Sequence, residues 1–151
     1  MTYLLTRLRL PEQAFPLLGL TVGPESPAGT TAGDGLTVFR CPEQALANDA
    51  MCVAPGELTL GLACAISKMT APCVGFILHK VTSTTCVIVS HAELSGFPPA
   101  AARQPIFLSL QPGKTTTTAP VGTNVVVQRL GEYIGISTIR AAVTGRYITR
   151  A

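Results

Sequence analysis

From Asp34 onward, short runs rich in valine, isoleucine, threonine and phenylalanine are cut off every few residues by glycine or proline. That punctuation leaves no room for a long helix and is the signature of an all-β barrel or sandwich. The runs cover 36–40, 51–54, 73–79, 84–91, 106–110, 124–130, 133–139 and 143–149. Because successive strand residues point to opposite faces, Cys86, Ile88 and Ser90 are expected on one side and Val87, Val89 and His91 on the other. Val125-Val126-Val127 is apolar in both directions, as in a strand covered on both faces. The turns are expected at Gly96 with Pro98-Pro99, at Pro112-Gly113, at Pro120 with Gly122, and at Gly145. One short helix is expected over 43–49, since Pro42 suits a first helical position. The apolar stretch 58–69 reads as helix or strand alike. Thr115 to Thr118 is stiff at χ1 and favours an extended edge strand with its hydroxyls in solvent.

Residues 1–33 obey a different pattern. Pro11, Pro16, Pro24 and Pro27 alternate with Gly19, Gly23, Gly29 and Gly33, so neither helix nor strand can run far. Tyr3, Leu4, Leu5, Leu8, Leu10, Phe15, Leu17, Leu18 and Leu20 are nevertheless too apolar for a solvated tail. An extended N-terminal arm lying along a surface is expected, either its own domain's or a neighbour's. The division is therefore an arm over 1–33 and a β-rich domain over 34–151. The sequence predicts a mostly β chain: a compact, tulip-like β-barrel or sandwich with that arm and at most one or two short helices. At 151 residues it is one domain's worth of chain, large enough for a core without disulfide or metal staples.

Composition bears on what surrounds this domain. Hydrophobic residues make up 47% and charged residues only 13%, about half the usual charged share. The apolar run 73–78 is far short of the roughly 20 residues that span a bilayer. Arg7 and Arg9 interrupt what would be the apolar stretch of a signal peptide, so this segment is expected to be retained. With no membrane partner expected, a subunit whose apolar surface is covered by neighbours accounts for the low charge. Cys41, Cys52, Cys64, Cys73 and Cys86 contain no C-x-x-C pair, which argues against a zinc ribbon or finger. They are expected to be reduced, buried, small hydrophobes.

The net charge of +3 is unevenly distributed, with six bases and one acid after residue 100. Arg103, Lys114, Arg129, Arg140, Arg146 and Arg150 are scattered among strands and turns rather than clustered with aromatics, so no nucleic-acid partner is expected. An acidic protein surface suits them better. Gly113-Lys114-Thr115 copies the end of a phosphate-binding loop, but Leu108 stands where the first glycine is needed. His91-Ala92-Glu93 is half of a zinc-deaminase motif without its Pro-Cys-x-x-Cys. His79 and His91 read as strand-end surface or core histidines, and Glu93 with Glu132 as solvated acids beside turns. No catalytic, cofactor-binding or metal-binding residue is assigned, and no cofactor is expected.

An ordered series of segments carries a family resemblance. Ala71-Pro72-Cys73-Val74-Gly75-Phe76 is followed by 104–113, reading QPIFLSLQPG, and by the threonine run ending at Pro120. Asn124-Val125-Val126-Val127-Gln128-Arg129-Leu130-Gly131 and Tyr133 to Ile139 come next, and Gly33 to Phe39 supplies an upstream element. The series resembles a module of tailed-bacteriophage virion proteins, found in capsid decoration (cement) proteins and in fibre or tail-associated proteins. The resemblance covers roughly residues 34–140; 1–33 and 140–151 have no counterpart. It implies a non-enzymatic structural protein, commonly a homotrimer, made in the host cytoplasm and seated on the capsid exterior against the major capsid protein. A fibre component would need a heptad or fibrous repeat, which this chain lacks. Partner contacts are expected from Tyr3, Leu4, Leu5, Arg7, Leu8, Arg9, Leu10, Phe15, Leu17 and Leu18 of the arm. Arg140, Arg146 and Arg150 are expected to face an acidic capsid surface.

Overall fold

A computed structural model describes residues 38–53 and 59–151. The arm residues from Tyr3 to Leu18 lie outside that set. The described chain is mostly β, with one turn of 3-10 helix over Lys68–Thr70. Its strands are β1 (Val38–Arg40), β2 (Ala50–Val53), β3 (Leu60–Leu62), β4 (Cys73–Thr82), β5 (Thr85–Val89), β6 (His91–Ser95), β7 (Pro105–Leu108), β8 (Thr115–Thr116), β9 (Val126–Val127), β10 (Arg129–Tyr133), β11 (Thr138–Ala142) and β12 (Ile148–Thr149).

They form two open five-stranded antiparallel sheets, ordered β1-β5-β4-β2-β3 and β6-β11-β10-β7-β8, with β9 and β12 as a separate pair. The architecture is a sandwich and not a closed barrel. Ala50, Cys52, Cys73, Phe76 and Val89 from the first sheet meet Leu94, Ile106, Leu108, Leu130, Tyr133 and Ile139 from the second in one core. Phe97, just beyond β6, places its ring edge-on to Phe76 at 5.7 Å. Of the four edge strands of these sheets, β1, β3 and β8 are only two or three residues long, which limits pairing with foreign strands, while β6 has five residues.

Two expected strands divide because the chain changes sheets. The run 84–91 leaves the first sheet after Val89, turns at buried Ser90 and enters the second at His91. Ser90 is held there by the Val143 amide, which donates to its carbonyl at 2.9 Å. The run 124–130 divides at Gln128, with Val126–Val127 on β12 and Arg129 onward between β7 and β11. Alternation in β5 does not separate buried from exposed residues: Cys86, Val87 and Ile88 all join one cluster, and the facing strand β4 shifts register between Ile77 and His79.

The expected helix over 43–49 is replaced by turns. Its polar groups are taken by the sheet: the Asn48 amide donates to the Ile77 carbonyl at 2.8 Å, and the Ile77 amide to the Asp49 carbonyl at 3.0 Å. Strand 133–139 is likewise corrected to the β10–β11 connection, closed by Ile134 and Gly135 amides on the Thr138 carbonyl. Of 143–149 only the last two strand residues pair, since Gly145 turns the chain at φ +77°. The open stretch 58–69 contains β3 followed by turns. The threonine run does supply an edge strand, β8.

Candidate partner-binding surface

The third, two-stranded element anchors a surface that neither large sheet provides. Val126 pairs with Thr149 and Val127 with Ile148, and the ladder continues as Asn124 donates to the Arg150 carbonyl and Arg150 to the Val125 carbonyl, both at 2.9 Å. From there the Val126 amide donates to the Ala65 carbonyl, and the Ala65 amide to the Ser109 carbonyl, each at 2.8 Å. Cys64 Sγ donates to the Leu110 carbonyl at 3.0 Å, while Thr70 closes the intervening loop through its Oγ1 on the Cys64 carbonyl at 2.8 Å. Arg150 Nε reaches the Pro120 carbonyl at 2.8 Å. Segments 64–70, 109–111, 120–127 and 147–150 are therefore hydrogen-bonded to one another, with Ala65, Val125 and Val126 turned into the core and other side chains left outside.

Several of the exposed side chains are large and apolar. Met69 is 68% exposed, Val121 71%, Ile148 66% and Ile66 59%, with Leu110 and Tyr147 less so. Elsewhere among the described residues the large exposed hydrophobics are Leu46 and Ile136. Single exposed apolar residues are ordinary, whereas several on hydrogen-bonded neighbouring segments mark a contact surface.

Two of the three arginines expected at a partner belong to this region. Arg146 and Arg150 flank β12 and form no ion pair among the described residues. Arg140 is elsewhere: it projects from β11 on the outer face of the second sheet, with its guanidinium 3.7 Å from the Glu93 carboxylate across the strand pair. The arm residues Tyr3, Leu4, Leu5, Arg7, Leu8, Arg9, Leu10, Phe15, Leu17 and Leu18 lie outside the described set. Ile66 and Met69 fall in the stretch 58–69 that reads as helix or strand alike, Leu110 and Ile148 in expected strands and Val121 in an expected turn, so no local signal marked their exposure.

Other polar groups singled out in the sequence have structural settings. Lys114 Nζ donates to Asp49 Oδ1 at 2.9 Å, and Asp49 Oδ2 accepts from the Leu46 amide at 2.9 Å. Gly113, at φ +75°, donates to the Ala63 carbonyl and accepts from the Ala50 amide, so Gly113-Lys114 joins the loop after β7 to the first sheet. Glu93 and Glu132 are each in an ion pair, with Arg140 and Arg129, both at 3.7 Å. Arg140 is in register with both acids, which places a cation between them. His79 is exposed on β4, and His91 Nδ1 lies 3.1 Å from Ser90 Oγ. Among the described residues no three His, Cys, Asp or Glu side chains converge as a metal site would require. No helix there is long and apolar enough to cross a membrane. The cysteines are all free and buried, as expected.

Comparison with family models, with curated proteins and with solved structures finds no match to this chain.

Proposed function

We propose that this protein is a non-enzymatic structural component of a tailed-bacteriophage virion, binding the assembled capsid shell as a decoration protein. The observation that carries the reading is the apolar surface around β9 and β12, bordered by the unpaired cations Arg146 and Arg150. Apolar side chains supply contact energy when covered, and cations at the margin select an acidic partner and set its register. The ordered sequence resemblance points to the same class. A decoration protein stabilises a shell by mass action, because it binds the assembled lattice in preference to free subunits. It needs contact area rather than reacting groups. The partners on this reading are the major capsid protein and two further copies of the chain in a homotrimer.

The test joins the mass of the purified protein to its copy number in particles. A trimer, or a subunit that assembles only on the shell, present in many copies per particle, is the expected result. Deleting residues 1–20 should weaken shell binding, and Ile148→Asp should weaken it by about tenfold or more with the fold retained. A few copies per particle would assign the chain to the tail or fibre. A monomer missing from particles would overturn the structural reading in favour of a small enzyme or binding module.

A further inference from the structure

Two of the five cysteines lie beside Lys80 where the edge strand β1 meets β5. Strand β1 pairs with β5 in the register Phe39 to Cys86 and Arg40 to Thr85, and the Cys41 amide extends that ladder by donating to the Thr84 carbonyl at 2.9 Å. Cys41 therefore stands opposite Thr84, two residues from Cys86 on the same face of the sheet. The two thiols are neighbours within one apolar cluster. On the other side of β5, Lys80 is in register with Cys86. Its ammonium folds over the loop that begins at Cys41, donating to the Pro42, Glu43 and Ala45 carbonyls at 3.1, 3.3 and 3.0 Å. A fixed cation thus sits beside a thiol pair that joins an edge strand to its neighbour.

Position within the sheet separates their roles. Cys41 is next to exposed Arg40 and the exposed β4–β5 turn, whereas Cys86 is fully enclosed. The hydrogen bond from Cys86, then the Lys80 charge, hold the Cys41 thiol below its ordinary value against the opposing effect of burial. The hydrogen bond to Cys41 and then burial push Cys86 up. The two shifts run in opposite directions, downward for the outer sulfur and upward for the inner one. Cys52 and Cys73 also face each other, in register between β2 and β4, but burial in the core pushes both up, Cys73 to about 12. A lowered thiol pKa and a neighbouring second thiol favour selective reaction of a cysteine with an oxidant, and Cys41, at 7% exposure, is the less enclosed of the two.

We propose that Cys41 and Cys86 form a peroxide-reactive dithiol site that closes into an intrachain disulfide joining β1 to β5. The Cys41 thiolate attacks one oxygen of a hydroperoxide, the O–O bond breaks, and Cys41 becomes a sulfenic acid as hydroxide leaves and takes up a proton. The Cys86 sulfur then attacks the Cys41 sulfur. The S–O bond breaks, and the Cys86 proton leaves with the hydroxyl as water. Two thiols have lost two electrons and, with hydrogen peroxide as oxidant, one peroxide has become two waters. The product fastens the three-residue edge strand β1 to its neighbour β5. This inference does not depend on the virion reading.

The test treats the full-length protein with hydrogen peroxide, then digests it with trypsin and a glutamate-specific protease. Cleavage after Arg40, Glu43, Glu57, Lys68 and Lys80 places the five cysteines on five separate peptides. The expected product is a Cys41-to-Cys86 cross-link with three thiols left unmodified, reversed by a dithiol reductant. In Cys86→Ala, Cys41 should instead be trapped as a sulfenic acid by dimedone. In the untreated protein, iodoacetamide should label Cys41 at least about tenfold faster than Cys73. A different cross-link, or five intact thiols under conditions that oxidise free cysteine, overturns the proposal. The wild-type digest decides the matter even if a variant fails to fold.

Discussion

The two five-stranded sheets are built from similar numbers of residues, yet they meet their surroundings in opposite ways. Every residue of β5 in the first sheet is buried, and behind the shared core lies a second apolar cluster containing Val38, Phe39, Met51, Ile77 and Ile88. The second sheet has one apolar face. Its outer face carries His91, Glu93, Ser95 and Arg140 in cross-strand rows, with Glu132 beside them. β6 accordingly shows mostly exposed residues around Leu94, and β11 alternates buried Ile139 and Ala141 with exposed Arg140 and Ala142. A sheet covered on both faces loses the period-two pattern; one facing water keeps it. The first sheet is thus the structural centre, and the second presents a solvated wall.

That contrast has measurable consequences. Ile88→Ala, on the rear cluster of the first sheet, should cost about 4 kcal/mol in denaturant unfolding, as a fully enclosed aliphatic side chain does. A cost under about 1 kcal/mol would show that this face is not a second core. Gly131→Ala probes the inner packing of the second sheet. Gly131 has φ +152°, and a Cβ there would run into the Arg140 carbonyl of the neighbouring strand, so a loss of about 3 kcal/mol is expected.

Where the sheets are joined, Gln128 is fully buried and binds one residue of β4 in both directions. Its Oε1 accepts from the Cys73 amide at 2.7 Å, and its Nε2 donates to the Cys73 carbonyl at 2.9 Å. Gln128→Leu leaves both backbone groups unpaired and should cost about 2 kcal/mol, read as a lower urea midpoint with an unchanged slope. Lys114→Met removes the partner of buried Asp49 but from a half-exposed lysine, so about 1 kcal/mol is expected. Glu93→Ala on the solvated wall should fall within about 0.5 kcal/mol of wild type, because its ion pair with Arg140 is open to water. A Glu93 effect as large as that of Ile88 would erase the distinction between the sheets.

Legibility in the sequence follows the same division. The breakers at Gly96, Gly113, Gly122 and Gly145 all adopt positive φ, so the turn residues were readable one by one from backbone chemistry. Strand existence was also readable over most of the chain, including the edge character of the threonine run. Boundaries failed where a strand passes from one sheet to the next, at Ser90 and Gln128. Local propensity is continuous there, and only the partner strand changes. The helix expected over 43–49 failed for a related reason, since β4 offered its backbone groups to Asn48 and Asp49 from a distance in sequence that local periodicity does not register. At the candidate surface, Arg146 and Arg150 were legible as expected partner contacts, whereas no local signal marked Ile66, Met69 and Ile148 as exposed.

By itself, then, the sequence determined a mostly β domain, its turns and five cysteines that behave as buried thiols, because glycine, proline and β-branched side chains act through bonds and neighbours a few residues away. The tertiary structure alone decided that the sheets stay open as a sandwich and that one of them is buried twice. It also decided which hydrophobics remain outside and that Cys41 meets Cys86. Each of those outcomes depends on strand pairing between distant segments, and the free energy of such a pairing resides in neither segment alone.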